Sequence, residues 1–383
     1  MNDKIQIALP TVGAAEIEQL AEVIASGWLT QGPKVAAFEA AFAKRHAVDH
    51  ALAVTSCTTG LHLALLALGI GPGDEVIVPS FTWIASANAV LYCGATPVLC
   101  DIDLATFNID IADALARVTA RTKAVMAVHL FGLCADIDRL RQALPAEIAI
   151  IEDAACAAGA ELRGRPAGGL GDLGVFSFHP RKTITTGEGG MLTTNQAGLA
   201  ERASHMRNHG ATISEEQRHL GPRPHLLPAF PELGYNYRMT DLQGAVGLAQ
   251  LSKLDALIEE RAHWAAWYRH RLAGLSWLTA PSEPKDGRHG WQSFVCTVAD
   301  DVDAVSVMDQ LERAGISTRP GTHAVHMQDC YIRRFGFRSE DLPGSLAAAR
   351  RTVAIPLHNR MNAEDYERVA TALGRVDPRS SRT

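Results

Sequence analysis

The sequence predicts an α/β fold, a mainly parallel sheet covered by helices, followed by a smaller α+β unit. Three observations carry this. Short apolar runs alternate with helix-length segments from about residue 50 to about residue 195. Such short apolar runs look like strands buried on both faces of a mainly parallel sheet. Beyond about residue 250 the alternation gives way to long helices and a few separated strands. A chain of 383 residues has room for two or three domains of about 150 residues each. The pattern divides it into a large domain, 1–249, and a small C-terminal one, 250–383.

The elements run in this order. Ile17, Leu20, Ala21 and Ile24 share one face of a helix predicted over 14–26, and Gly27 is its natural stop. The turn-rich SGWLTQGPKV leads to a second helix near Val35–Arg45. Strands are expected at Ala51–Val54, Glu75–Val78, Thr96–Leu99, Ala124–Val128, Ile148–Ile151, Gly174–Phe178 and Gly190–Thr193. The polar, Pro-rich stretch Ser214–Pro231 is too long for a simple connector and reads as an active-site or interface loop. Thr240 and Gln243 form a capping box that opens a long helix reaching past Arg261. A strand at Trp291–Val298, a helix at Val305–Ala314 ended by Gly315, and a strand at Thr352–Pro356 make up the small unit. The tail after Val376 is expected to fray.

Composition narrows the function classes. Thirty-six basic against 42 acidic side chains give a net charge of −6, which argues against nucleic acid as the main partner. Seven scattered cysteines with no C-x-x-C argue against a disulfide scaffold or a zinc ribbon and suit a reducing cytoplasm. MNDKIQIALP lacks the apolar core of a signal peptide, and no stretch reaches the ~18 apolar residues of a membrane helix.

Four stretches that can carry chemistry each come after a predicted strand, where ligands bind in open α/β sheets. Thr55–Gly60 (TSCTTG) opens an apolar helix. Its backbone amides and dipole can seat a phosphate, or its hydroxyls can simply cap the helix. Glu152 and Asp153 end a strand. Such a carboxylate can hold a protonated ring nitrogen, or cap the next helix. Lys182, in SFHPRKTITTGEGG, is either a surface lysine or an amine nucleophile with a pKa lowered by burial and by Arg181. GYNYRM (234–239) gathers two tyrosines, an amide and Arg238, which are either functional or a core patch with an ion pair. Gly169–Gly174 matches G-x-G-x-x-G, but a strand comes after it instead of a helix, so a nicotinamide site is rejected. A phosphate seat, a pyridinium partner and an amine nucleophile at one sheet edge are what pyridoxal phosphate requires.

The chain resembles the DegT/DnrJ/EryC1/StrS family of sugar aminotransferases, through SGWLTQGPKVAAFE, SCTTGLHLAL, VPSFTWIASANAV, IEDAACAAGA, FSFHPRKTITTGEGGML and GYNYRMTDLQGAVGLAQL. The resemblance covers nearly the whole chain and implies fold type I of the pyridoxal phosphate enzymes. It makes Lys182 the Schiff-base lysine, Asp153 the partner of the ring nitrogen and Trp83 the residue stacked on the ring. The amides of Thr58 and Thr59 and the Ser177 hydroxyl would hold the phosphate. Asn236 would reach the cofactor of a partner subunit in an obligate homodimer, with Arg238 supporting the interface or the substrate and His326 either near the substrate or structural. Cys156 stands where the family usually has Gln or His against the cofactor's 3-oxygen, and it is a poorer donor. Relatives with His in place of the lysine act as dehydratases, and Lys182 argues against that activity.

The implied reaction is ping-pong. Glutamate would give its amino group to the cofactor, with Lys182 moving the α-proton, and a nucleotide-linked keto-sugar would then receive it. The loop 214–231 and the segment Arg319–His326 are the candidates for shaping the acceptor's cleft. A keto-cyclitol acceptor, or a cofactor-binding regulatory protein without turnover, are the competing expectations.

Overall fold

The computed structural model describes residues 4–213, 225, 227–283 and 286–380. Of the loop expected at 214–231, residues 214–224 and 226 lie outside the described residues. All seven expected strands of the large unit enter one sheet. They are β1 (His50–Val54), β2 (Glu75–Pro79), β3 (Thr96–Cys100), β4 (Thr122–Val128), β5 (Ala149–Asp153), β8 (Leu173–Ser177) and β9 (Gly190–Thr194), in the order β1-β9-β8-β5-β4-β2-β3. The pairs β2–β3, β2–β4, β4–β5 and β5–β8 are parallel, while β9 runs antiparallel to both β1 and β8. Two antiparallel steps restore the direction, so β1 points the same way as β8. The carboxyl ends of β1, β5 and β8 therefore share one sheet edge with the start of β9. The register places Val54 and Ser177 on either side of Gly190, and Asp153 opposite Val175.

Apolar side chains fill both faces of this sheet. The helix Cys57–Ala67 buries Leu61, Leu63, Ala64 and Leu65 in a core that includes Val54, Val175 and Leu192. On the other side, Phe38 and Phe42 of the helix Pro33–His46 pack on Phe176 and Phe178, with ring centroids 4.9 to 5.7 Å apart. Gly190 is required where the sheet meets the helix start. A Cβ there would lie 2.7 Å from the Cys57 amide nitrogen.

The small unit is built on a three-stranded antiparallel sheet of β10 (Leu278–Thr279), β12 (Phe294–Val298) and β13 (Thr352–Ile355), with Tyr268, Trp291 and Tyr366 in its core. A third small sheet joins β11 (Gly287–Arg288) to β6 (Glu161–Leu162) and β7 (Arg165–Pro166) across the two units. No helix among the described residues is long and apolar enough to cross a membrane.

The helix expected over 14–26 is borne out, with a face buried by other residues, and three further expectations are corrected. The helix Ala14–Ser26 forms and stops at left-handed Gly27, but Ile17 and Ile24 are 68% and 63% exposed; the buried residues are Glu16 and Val23. Glu16 wins because it is fully occupied, taking the Gly13 amide (2.7 Å), the Gln250 amide (2.8 Å) and Lys253 Nζ (2.5 Å). The long helix opening at Thr240 is two helices, Asp241–Leu251 and Leu254–Leu272. Ser252 Oγ bonds the Ala249 carbonyl at the break, and the Lys253 amide reaches back only to Gln250. The second helix contributes Leu254, Leu257 and Ile258 to the large core, and Ala265, Tyr268 and Leu272 to the small one. The strand expected from Trp291 begins at Phe294, because Trp291 takes φ +45° and gives its amide to His289 Nδ1. The tail is held as far as Ser380, where Gln310 bonds Asp377 at 2.9 and 3.0 Å and Ser306 Oγ bonds the Ser380 carbonyl.

Candidate active site

Three strand ends deliver the site. β1 runs into Ser56, which caps the helix Cys57–Ala67 through a reciprocal box. Ser56 Oγ accepts the Thr59 amide at 3.2 Å, and Thr59 Oγ1 accepts the Ser56 amide at 3.0 Å. The cap uses the Thr59 amide, one of the two expected for phosphate. The amides of Cys57 and Thr58 stay available, since a helix's first turn has no intrahelical acceptors for them. Together with the dipole they form an anion seat.

β5 ends in the doublet Glu152–Asp153, whose side chains point to opposite faces because a strand alternates. Glu152 is a structural carboxylate. It pairs with buried His129 at 2.7 Å and accepts the amides of Gly168, Leu170 and Gly171. The glycine-rich stretch that imitates a dinucleotide fingerprint is thus a turn wrapped around this carboxylate, leading into β8. Asp153 faces the cavity. Its oxygens accept Ser86 Oγ at 2.7 Å and the Ala155 amide at 3.2 Å.

β8 ends at Ser177, and the chain turns back toward β9 through 179–189. This turn is braced by buried threonines: Thr185 Oγ1 bonds the Phe178 carbonyl, and Thr186 Oγ1 bonds that of Glu188. Gln243 and Gln250, from the helix Asp241–Leu251, tie the same turn at Glu188 and Thr185. Half-buried Lys182 projects from it, its Nζ donating to Cys156 Sγ at 3.1 Å. Burial and the charge of Asp153 push the Cys57 thiol well up, against an opposing pull from Lys182, so it stays protonated. Burial, then Arg181, hold His179 below the usual histidine range, leaving it neutral at pH 7.

These groups line one cavity of about 330 Å³. Thr58, Trp83, Asp153, Cys156, Ser177 and Lys182 belong to its lining; Thr59, Asn236, Arg238 and His326 do not. Trp83 stands at the rim, 54% exposed, with its ring 5.4 Å from that of His323. Exposed Asn236 bridges Asn208, and Arg238 Nη1 bonds Asn208 Oδ1 at 2.7 Å. His326 is fully buried with both ring nitrogens occupied, by Ser80 Oγ at 2.7 Å and the Ser339 carbonyl at 3.0 Å, so in this chain it is a structural histidine. The lining adds Glu188 and Gln292, to which the sequence reading gave no role, and Arg319, Gly321 and Thr322 from the segment expected to shape the acceptor's cleft. Ser86, which orients Asp153, was also missed, since no pattern marks it. A larger hollow of about 780 Å³ beside Arg313, Glu364 and Glu367 contains no comparable set.

Pyridoxal phosphate needs an anion seat, an amine and a buried carboxylate around one cavity. The residues fit: two helix-start amides with Ser177, Lys182, and Asp153 with an orienting hydroxyl. Gly190 leaves the room in which the helix start approaches the sheet.

Comparison with known proteins places this geometry. The family model for the DegT/DnrJ/EryC1/StrS aminotransferase family matches residues 10–374. The chain is 40% identical over 378 residues to a GDP-perosamine synthase of Caulobacter vibrioides, covering 97% of this chain and 98% of that one. It is 37% identical to the spore coat polysaccharide biosynthesis protein SpsC of Bacillus subtilis, covering 97% of each. The solved PLP form of a sugar aminotransferase described as putative, Spr1654 of Streptococcus pneumoniae, superposes with a TM-score of 0.90 at 26% identity over 97% of each chain. The chain is a pyridoxal-phosphate-dependent aminotransferase of fold type I, and it belongs to the DegT/DnrJ/EryC1/StrS aminotransferase family.

Proposed function

We propose that this enzyme aminates the keto group of a nucleotide-linked sugar, with glutamate as donor, as a cytoplasmic homodimer with shared active sites. The observation that carries this is the convergence of Lys182, Asp153 and the Ser56–Thr58 helix start on one cavity, in a chain 40% identical to a protein named GDP-perosamine synthase. The seven free cysteines suit a reducing compartment.

Bound pyridoxal phosphate supplies an electron sink for the carbon that loses its proton. Around it the chain's residues have separable tasks. The amides of Cys57 and Thr58 and the Ser177 hydroxyl hold the phosphate. Asp153, fixed by Ser86 and the Ala155 amide, keeps a proton on the ring nitrogen through a charge-assisted bond. Trp83, at the rim of the cavity, would cover one face of the ring. Lys182 Nζ would anchor the group covalently, and its amine would carry the α-proton of the donor. Cys156, 3.1 Å away, keeps that amine aimed into the cavity. Because one cavity serves donor and acceptor in turn, the kinetics are ping-pong.

Two observations support the homodimer. Asn236 is exposed and outside the lining, as suits a residue that completes a neighbour's site. Ile17 and Ile24 form an uncovered apolar helix face, more naturally buried against another chain.

The test is mass spectrometry of the enzyme with glutamate and a panel of nucleotide-linked keto-sugars and keto-cyclitols. A carbonyl-to-amine mass change on a nucleotide-linked sugar, matched by 2-oxoglutarate, is the expected result. Amination of cyclitols alone, or 2-oxoglutarate release with no acceptor in the panel, contradicts the reading.

A further inference from the structure

The segment that carries Asn236 is stitched on both sides. The Tyr235 amide donates to the Met206 carbonyl at 2.7 Å and the Tyr237 amide to that of Arg207 at 3.0 Å, while the Tyr237 carbonyl accepts the Thr55 amide at 3.0 Å. An extended backbone alternates its side chains, so Tyr235 and Tyr237 share one face and Asn236 takes the other. The two tyrosine rings stack, with centroids 5.0 Å apart and planes 13° from parallel, and Asn236 is exposed. Both rings lie against His62, at 5.1 and 6.0 Å between centroids. His62 Nδ1 and the Tyr237 hydroxyl are bonded at 3.0 Å.

A histidine is costly at this position. It is 5% exposed on a helix whose other buried residues are Gly, Ala and Leu, and its Nε2 is buried with no partner among the described residues. An apolar side chain would fill the space without that unmatched nitrogen. Burial holds the ring below the usual histidine range and the Tyr237 hydroxyl above the usual phenol range, so both are neutral at pH 7. What the histidine adds is the bond to Tyr237. It also stands on the helix Cys57–Ala67, whose start forms the anion seat, about 7.5 Å along the axis from Cys57. One rigid element thus offers its first turn to a phosphate and its middle to the segment that presents Asn236. We propose that His62 is a positioning residue: through the Tyr237 hydroxyl it fixes the segment that presents Asn236 to the other subunit's cofactor, so the helix that seats one cofactor also sets the affinity of the neighbouring site. This rests on the shared-site reading of the homodimer and not on the identity of donor or sugar.

The experiment uses mixed dimers of a Lys182→Ala chain and an Asn236→Ala chain. Only one of their two sites has both residues. It is also the only one that can show the absorbance of lysine-bound cofactor, so titration with pyridoxal phosphate reads its dissociation constant alone. Tyr237→Phe keeps the stacked ring and removes the hydroxyl. Added to the Lys182→Ala chain, which supplies the intact Asn236, it is expected to raise that constant about 3- to 10-fold. Added to the Asn236→Ala chain, which holds the cofactor, it should change the constant less than about twofold. His62→Leu should show the same dependence on the chain that carries it. A rise from either chain alike, or from the cofactor-holding chain alone, makes the cluster a support of the local fold and overturns the proposal, as does no rise from either. If the mixed dimer without these changes binds no tighter than the Asn236→Ala homodimer, the shared-site reading fails first and this proposal falls with it.

Discussion

Asp153→Asn separates charge from shape at the centre of the site. The carboxylate is 5% exposed and accepts from Ser86 Oγ at 2.7 Å, the Ala155 amide at 3.2 Å and, more weakly, the Cys57 thiol at 4.0 Å. Asparagine has the same outline. Its carbonyl keeps the Ala155 bond, and its NH2 meets Ser86, whose hydroxyl can turn to accept while Thr82 Oγ1 lies 3.0 Å away as a second partner. The loss to the fold is therefore about 1 kcal/mol. The loss to chemistry is larger. A carboxylate and a cationic ring about 4 Å apart attract by about 4 kcal/mol at an effective dielectric of about 20. If that attraction keeps the ring protonated, its removal slows proton abstraction by roughly three decades. The assay is single-turnover reaction of holoenzyme with glutamate, paired with a thermal melt. The account predicts a rate about a thousandfold lower with a melting temperature within a few degrees of wild type. A rate within tenfold of wild type, in a protein that still binds the cofactor, would refute the role given to this charge.

The same geometry yields two further outcomes. Lys182→Ala and Asn236→Ala chains should each be impaired alone, but their mixed dimers should regain activity through one site with both residues intact; mixing that restores nothing rules out sharing across subunits. Glu16 tests the fold. Burial alone would raise its pKa, but the bonds from Lys253, Gln250 and the Gly13 amide outweigh that and hold the carboxyl below its ordinary value of 4.5. A depressed folded pKa means stabilisation that is fully present above the unfolded value and lost as pH falls through the folded one. Glu16→Gln should thus lower stability by about 2 kcal/mol at pH 7, with the gap shrinking by pH 3 in urea unfolding; a pH-independent gap excludes this account.

Local features, a strand or a cap, were legible in the sequence. Each of the seven strands carries a short, largely apolar run, and Thr240–Gln243 is a capping box in the structure as in the sequence. Lys182, Asp153 and Ser177 were legible because each lies at or just beyond the end of such a strand, and topology brings strand ends to one edge. Features that depend on distant partners were concealed. Ile17 and Ile24 have helical spacing, yet Glu16 takes the inward position because Gln250 and Lys253 satisfy it. Glu152 and Asp153 are neighbours with opposite roles, and only the turn at Gly168–Gly171 shows which one is structural. The Thr59 amide also serves the Ser56 cap, and of the two readings left open for His326 its bonds to Ser80 and the Ser339 carbonyl favour the structural one. Arg319 stood in a segment expected to shape the acceptor's cleft, and it lines the cavity.

The central claim is that Lys182 is the covalent anchor of pyridoxal phosphate. Borohydride reduction of the holoenzyme, proteolysis and peptide mass mapping test it most directly. The account predicts a cofactor-derived mass on the peptide containing Lys182 and none in the Lys182→Ala chain. A label on another lysine, or one that persists after the substitution, would contradict it.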